Sequence, residues 1–340
     1  MDKNKSNALS PAPIMALTTA YWGSQALFTA NRLALFALLD GNEKDAAAIA
    51  SALKVKPRHI SLLLNACTAL GLLEVDKGVY RNSALSDAYL VPGKDAYMGN
   101  AIRYSDNLYD AWGRLEESLR EGRPTMPAED YLGKDVERTR HFVHGMHNRA
   151  LGIGAMMVNM VDLSSRKQML DIGGGPGTYA AMFCWRNVEL NACVLDLPPI
   201  VALAEEILNK IPGGDRVSTL PGDYSKTDFP NDNDVVLISG VLHRESEVNC
   251  QSLIARAVGS LAVGGLLLVS DVFSDEGGTA PVFSTLFGLN MMLSATDGGV
   301  HSDDSVVEWM REVGLSEIEV QPFPPPMPHR LIVGKKLSAF

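Results

Sequence analysis

Cysteine is scarce and unpaired. Cys67, Cys184, Cys193 and Cys250 are scattered without a CxxC spacing, which excludes a zinc ribbon and a disulfide framework and predicts reduced thiols in a cytoplasmic protein. Long apolar runs are absent too: the stretch 266–269 falls far short of the roughly 20 residues that a bilayer-spanning helix needs, so no membrane partner is expected. The opening Met1-Asp2-Lys3-Asn4-Lys5 lacks the apolar core of a signal peptide, and export is not expected. Positive charge is also in deficit, since 30 Lys and Arg against 40 Asp and Glu leave a formal net charge of -10. Nucleic acid and anionic membrane both reward clustered cations, so general affinity for either is not expected.

What is present is enough apolar material for a core: 46% hydrophobic and 21% charged residues over 340 positions. At roughly 100–200 residues per domain that length predicts two domains. Apolar residues recur at helical spacing over 12–39, among them Ile14, Leu17, Tyr21, Phe28, Leu33 and Phe36. A short helix over 45–53 precedes one over 58–72, with Pro57 suited to its first turn. Two short strands then flank Lys77-Gly78, and helix, turn, helix and hairpin together form a winged-helix pattern. Over 41–90 six cations face five anions, a weak phosphate-binding face.

Residues 97–161 read as helical, with a break at Gly122-Arg123-Pro124. Beyond Arg166, short apolar runs alternate with helices, the mark of a parallel sheet wrapped by helices. Strands are predicted at 168–172, 191–195, 217–220, 235–238, 266–272, 318–320 and 330–333, with a helix over 302–313 and a rigid proline-rich loop at 322–328.

The first of these strands ends in Leu170-Asp171-Ile172-Gly173-Gly174-Gly175-Pro176-Gly177, where glycines let a ligand approach the backbone at a helix start. Asp196 closes the next strand and suits the two hydroxyls of a ribose. A dinucleotide site shares this grammar. The loop reads GxGxG from Gly173, however, and Asp171 would repel a pyrophosphate while attracting a cationic nucleoside.

Several motifs in order make residues 167–335 resemble the small-molecule O-methyltransferases that include the caffeate and acetylserotonin enzymes. Leu195-Asp196-Leu197-Pro198 resembles the family's ribose-binding strand end, Pro221-Gly222-Asp223-Tyr224 its adenine-side motif, and Val241-Leu242-His243 the segment ending in its catalytic histidine. The resemblance implies an α/β, class I methyltransferase Rossmann-like seven-stranded sheet over 164–340. An all-α winged-helix dimerisation domain over 1–95 and a helical bridge over 96–163 would precede it. It further implies a homodimer, S-adenosylmethionine as cofactor, and a small-molecule methyl acceptor. Asp171, Gly173, Gly175, Asp196, Leu197, Gly222, Asp223, Tyr224 and Ser239 would hold the cofactor. Met146, His147, Asn290, Met291 and Ser294 would hold the acceptor.

His243 would then act as general base on a hydroxyl, oriented by Asp271. This chain departs from the family at three places: Arg244-Glu245 stand where Asp-Trp is common, Ser239 replaces a basic residue, and Val300 replaces a second acid beside the histidine. With one acid missing, S-methylation of a thiol or thioether, which needs little base, is the alternative. A metabolite-sensing DNA-binding regulator is a further alternative, opposed by the near-neutral winged helix. His141, His144 and His147 share a broad helical face, but no acidic or cysteine partner suggests a metal. Arg149 is suited equally to pairing with an acidic substrate and to a place on the surface.

Overall fold

The computed structural model describes residues 9–325 and 327–338. The reading of residues 1–5 and the place of Pro326 in the proline-rich loop lie outside them. The chain forms two compact units that divide between Asp106 and Asn107. Among the described residues no helix is long and apolar enough to cross a membrane.

The first unit runs α1 (Ala12–Thr19), α2 (Tyr21–Arg32), α3 (Leu35–Leu38), β1 (Lys44–Asp45), α4 (Ala46–Leu53), α5 (Pro57–Ala69), β2 (Leu73–Asp76), β3 (Val79–Asn82), α6 (Ala84–Tyr89) and α7 (Gly99–Asn107). Asp45 starts α4 by accepting the Ala48 N–H at 2.7 Å, and Lys54 ends it in the left-handed conformation. Lys77 and Gly78 both take positive φ, the geometry that closes a two-residue hairpin between β2 and β3. Strand β1 pairs with the other edge of β3, so the wing has three strands where the sequence suggested two. Leu35, Phe36, Ile49, Leu64 and Cys67 form its core. Helix α1 buries nothing: Ile14, Met15 and Leu17 are exposed, as are Tyr21 and Trp22 at the start of α2.

The second unit opens with α8 (Tyr109–Gly113), α9 (Leu115–Glu121) and the long α10 (Val136–Met157), whose N-terminus Asp135 caps through the Arg138 N–H. Then β4 (Gln168–Ile172), α11 (Thr178–Arg186), β5 (Asn191–Asp196), α12 (Pro198–Leu208), β6 (Val217–Pro221), β7 (Asn233–Ser239), α13 (Glu247–Ser260) and β8 (Leu261–Val272) alternate. Helices α14 (Val282–Met292) and α15 (Asp303–Glu312) precede β9 (Leu315–Pro322) and β10 (His329–Lys336). Seven strands form one sheet in the order β6-β5-β4-β7-β8-β10-β9. The first five are parallel, and β10 runs antiparallel to both neighbours. The strand order reverses between β4 and β7, where such sheets leave a crevice at their carboxyl ends.

Two apolar layers sandwich this sheet. Leu170, Ile172, Val236, Ile238, Leu267 and Val269 pack on one side with α13 and α15; Met169, Val194, Leu237, Leu268 and Leu331 pack on the other with α10 and α11. The strand ends are thereby fixed, and with them the residues that close each strand.

Gly213 seats the loop after α12 against α11. It takes φ +80, and a Cβ there would fall 2.2 Å from the Ala181 carbonyl oxygen and 2.7 Å from Trp185 N. Overpacking and backbone strain each cost on the order of 1–3 kcal/mol. Gly213→Ala is therefore expected to lower unfolding stability by about 2–4 kcal/mol in chemical denaturation, with Gly259→Ala, in open space, changing little.

Candidate active site

The glycine loop leaves β4 through three left-handed residues: Gly173, Gly175 and Gly177 have φ of +65, +56 and +70. A side chain is excluded at two of its positions by space as well. A Cβ on Gly173 would meet Val241 at 2.7 Å, and one on Gly174 would meet the Asp171 carboxylate at 2.6 Å. Tyr224, beyond the end of β6, also lies against Gly173, so the loops after β4, β6 and β7 converge on one point.

Asp196, at the end of β5, accepts the Gly175 N–H at 2.8 Å on one oxygen and the Leu197 N–H at 2.7 Å on the other. Each oxygen keeps a free acceptor position, which suits a pair of neighbouring hydroxyls. Burial pushes this carboxyl up, while those N–H bonds and the charge of Arg244 pull it back. Asp171 is different. It is fully buried, neither oxygen has a hydrogen-bond partner, and desolvation followed by the nearby Asp196 raises its pKa to about 8. Such an orphaned carboxyl is complementary to a cation and hostile to an anion.

The other predicted cofactor residues are placed unevenly. Ser239 closes β7 and is hydrogen-bonded to the Tyr179 side chain. The Tyr224 hydroxyl donates to Glu245 at 2.6 Å. Gly222 turns the chain tightly, since a Cβ would fall 2.3 Å from Thr227 Oγ1. Asp223 is held down to about 2 by Lys226 and Ser225, with its carboxylate occupied by that local turn.

His243 lies beyond the strand rather than on it. It sits four residues past β7 in a 3-10 turn, Leu242–Arg244. Its Nδ1–H donates to Asp271 Oδ1 at 2.6 Å, and Val272 N–H donates to the same oxygen at 2.7 Å. Burial raises the Asp271 carboxyl, but His243 and the Val272 N–H overcome this and hold it below its ordinary range. An ionised carboxylate only accepts, so it fixes the proton on Nδ1 and leaves Nε2 as a lone pair. The Phe287 ring packs edge-on against the imidazole with centroids 4.9 Å apart, and Phe283 stacks on Phe287. Gly299 N–H donates to the His243 carbonyl at 3.0 Å, which puts Val300 beside the histidine with no acid to offer.

Of the expected acceptor residues, Met146 and His147 lie half-buried on α10, and His147 Nδ1 is 2.8 Å from Thr178 Oγ1, beside the glycine loop. Desolvation, then His144, lowers the His147 pKa to about 4. Asn290 is half-buried and accepts from Trp112 Nε1 at 2.9 Å. Met291 is buried. Ser294 departs from expectation: it is fully buried, and its hydroxyl donates back to the Asn290 and Met291 carbonyls, so it packs rather than offers a polar contact. Among the described residues no cluster of His, Cys, Asp and Glu suits a metal ion.

Sequence reasoning missed Tyr179, Phe287, His329 and the pairing of Arg244 with Tyr131. Tyr179 carried a signal in its place two residues past the glycine loop. His329 had none, because only the pairing of β10 with β8 brings it to this edge. Arg244 Nη1 donates to the Tyr131 hydroxyl at 3.0 Å, across more than a hundred residues of sequence.

The arrangement suits a nucleoside bearing a positive charge: two acceptors at Asp196, an uncompensated carboxyl at Asp171, and a bare loop between them. The unmet need of Asp171 is also a stability statement. Its ordinary pKa is 3.8 and its folded value about 8, so the folded state binds the extra proton across that window. Stability of the ligand-free protein should therefore fall as pH rises from 4 to 8. In urea unfolding, Asp171→Asn is expected to remove about 1 kcal/mol or more of that decline between pH 5 and 8.

Comparison with known proteins agrees with this geometry. A family model described as an O-methyltransferase domain matches residues 112–316, and one described as an O-methyltransferase dimerisation domain matches residues 15–92. The chain is 31% identical over 330 residues to 3-hydroxy-5-methyl-1-naphthoate 3-O-methyltransferase of Streptomyces sahachiroi, covering 96% of this chain and 95% of that protein. It is 31% identical to acetylserotonin O-methyltransferase of Bos taurus, over 81% of this chain and 84% of that one. Human N-acetylserotonin methyltransferase in complex with SAM has the same fold, with TM-score 0.87, 24% identity, and coverage of 99% of this chain and 100% of that one. The N-terminal unit matches a dimerisation domain, which leaves the DNA-binding regulator without support. With a glycine loop and carboxylate pair shaped for a cationic nucleoside, and matches along nearly its whole length, the chain belongs to the S-adenosylmethionine-dependent O-methyltransferases.

Proposed function

We propose that this enzyme methylates a hydroxyl of a small aromatic acceptor, with His243 as the general base. The observation that carries the reading is the 2.6 Å bond from His243 Nδ1 to Asp271, which commits the ring to a tautomer with Nε2 free to take a proton. S-adenosylmethionine, when bound, supplies an electrophilic methyl group.

The chain's own residues do the rest. Asp196 takes the ribose hydroxyls and Asp171 faces the cationic end. Gly173 and Gly175 leave the backbone open to the ligand. Leu197, Gly222, Asp223, Tyr224 and Ser239 shape the remainder of that pocket. His243 accepts the acceptor's proton as the new carbon–oxygen bond forms. Asp271 stabilises the resulting imidazolium, so the missing acid at Val300 is no obstacle. Phe287 and Phe283 form an aromatic wall against the base, and Asn290 follows them on the same helix; the named relatives act on naphthoate and acetylserotonin, both aromatic. His147 supports the loop through Thr178. A thioether acceptor would have no use for the His243–Asp271 pair, which favours oxygen over sulfur. Most of the rate gain comes from proximity and orientation.

The same reading assigns the N-terminal unit to homodimer formation in a cytoplasmic enzyme. Among the described residues, exposed Ile14, Met15, Leu17 and Trp22 give it an apolar stripe suited to a second copy.

With a hydroxyl acceptor, His243→Ala is expected to lower turnover by about 10²- to 10⁴-fold. Binding of S-adenosylhomocysteine to that variant, measured by calorimetry, should change little; equal turnover by both proteins would remove His243 from the mechanism. Asp196→Ala should weaken S-adenosylhomocysteine by on the order of 10²-fold through loss of two charge-assisted hydrogen bonds. Replacing Leu17 and Trp22 together by Glu should convert the dimer to monomer in sedimentation velocity at micromolar concentration. A wild-type monomer there would end the dimer assignment.

A further inference from the structure

In the second unit, every buried side-chain polar atom left without a partner among the described residues belongs to Asn148, Asp171, Ser270 or His329. Buried polar atoms are nearly always paired, so a concentration of exceptions marks a place where something else supplies the partner. Asp171 is accounted for by the cationic end of the cofactor. Ser270 and His329 are not, and no step above uses them.

Strand register shows where these two stand. Ser270 on β8 lies opposite Ser239 on β7 and opposite Leu331 on β10. His329 is two residues before Leu331, so it shares a face with Ser270 on a diagonal that long side chains span. That face carries Leu268 and Leu331 and is the one covered by α10 and α11. Ser270 is only 1% exposed, with its Oγ unpaired, and the Nδ1 of His329 is likewise buried and unpaired. Ser239, Ser270 and His329 thus form a polar row along the sheet edge, and Tyr179 reaches Ser239 at one end of it.

A cation stands over the other end. The Cβ position of Gly152 lies 3.9 Å from Met327 Cε, so that side of α10 runs over the segment entering β10. Arg149 is three residues earlier on the same side, with an exposed side chain at the rim. Its charge is felt by both His329 and Tyr179. Burial lowers the His329 pKa, with Asp271 opposing and His243 and Arg149 adding to the fall. A neutral His329 has one N–H to donate, and Ser270 has a hydroxyl.

We propose, building on the O-methylation reading above, that the acceptor is a hydroxylated aromatic acid whose carboxylate is received by Arg149, His329 and Ser270. The chemistry is complementary at each point. A carboxylate accepts from a serine hydroxyl and an imidazole N–H, both of which otherwise stay buried without an acceptor. The guanidinium at the rim neutralises its charge. A neutral phenol would leave Ser270 and His329 as they are.

The test uses the full-length protein with a panel of hydroxybenzoates and hydroxynaphthoates, each beside its carboxamide. Binding is followed by calorimetry on protein saturated with S-adenosylhomocysteine, and transfer by labelled S-adenosylmethionine. The acids are expected to exceed the carboxamides in kcat/KM by at least about 10-fold, mostly through KM. In Arg149→Met that ratio should fall below about 3, and His329→Phe should move it in the same direction. Carboxamides methylated as well as their acids, or a ratio unmoved in Arg149→Met, would overturn the proposal and leave O-methylation standing. Acids that bind through Arg149 but are never methylated would keep the receptor and overturn the O-methylation reading instead.

Discussion

Strands β4, β5, β7 and β8 run parallel and end together, and this shared ending sets Asp171, Asp196, Ser239 and Asp271 along one edge of the sheet. The pairing of Ile172 with Leu195 and Ile238, and of Ser239 with Ser270, leaves no freedom to shift one strand without carrying its polar end residue out of line. A slip of one residue would also turn Leu170, Val236 and Leu267 out of their apolar layer. The core and the site are therefore specified by the same hydrogen-bond ladder.

That coupling explains why so much was legible. The apolar runs at 168–172, 191–195 and 235–238 each stop at or near a residue with chemistry, and the structure keeps the first as it stands, adds one position to the second and three to the third. Asp45, Pro57 and the Lys77-Gly78 turn announce their elements through capping and φ preference, which are local effects. The glycine loop is legible for the same reason. His243 was legible as a residue, whereas the 3-10 turn that carries its imidazole, beginning after Gly240 turns the chain out of β7 at positive φ, was not.

What remained hidden depends on long-range pairing. His329 comes to the sheet edge only through an antiparallel strand added from the end of the chain. The Arg244–Tyr131 and Trp112–Asn290 bonds join segments that have no local reason to meet. Ser294 failed in the opposite sense: its type suited a pocket, but a helical serine can turn its hydroxyl onto the preceding turn, and this one does. Periodicity cannot distinguish those two fates.

The meeting of Gly173, Tyr224 and Val241 has a consequence for divergence among enzymes of this shape. Three loops from three strands are wedged together there, so a change in any one must be answered by the others. The segment from α14 to Val300 is tied to that frame more lightly, by single bonds such as Gly299 to the His243 carbonyl and Asn290 to Trp112. On the proposed reading, the cofactor side of the cleft would resist change as a block, whereas the aromatic wall would tolerate it residue by residue. A new acceptor would then be reached by rewriting one side of the cleft while the methyl-donating half stayed as it was.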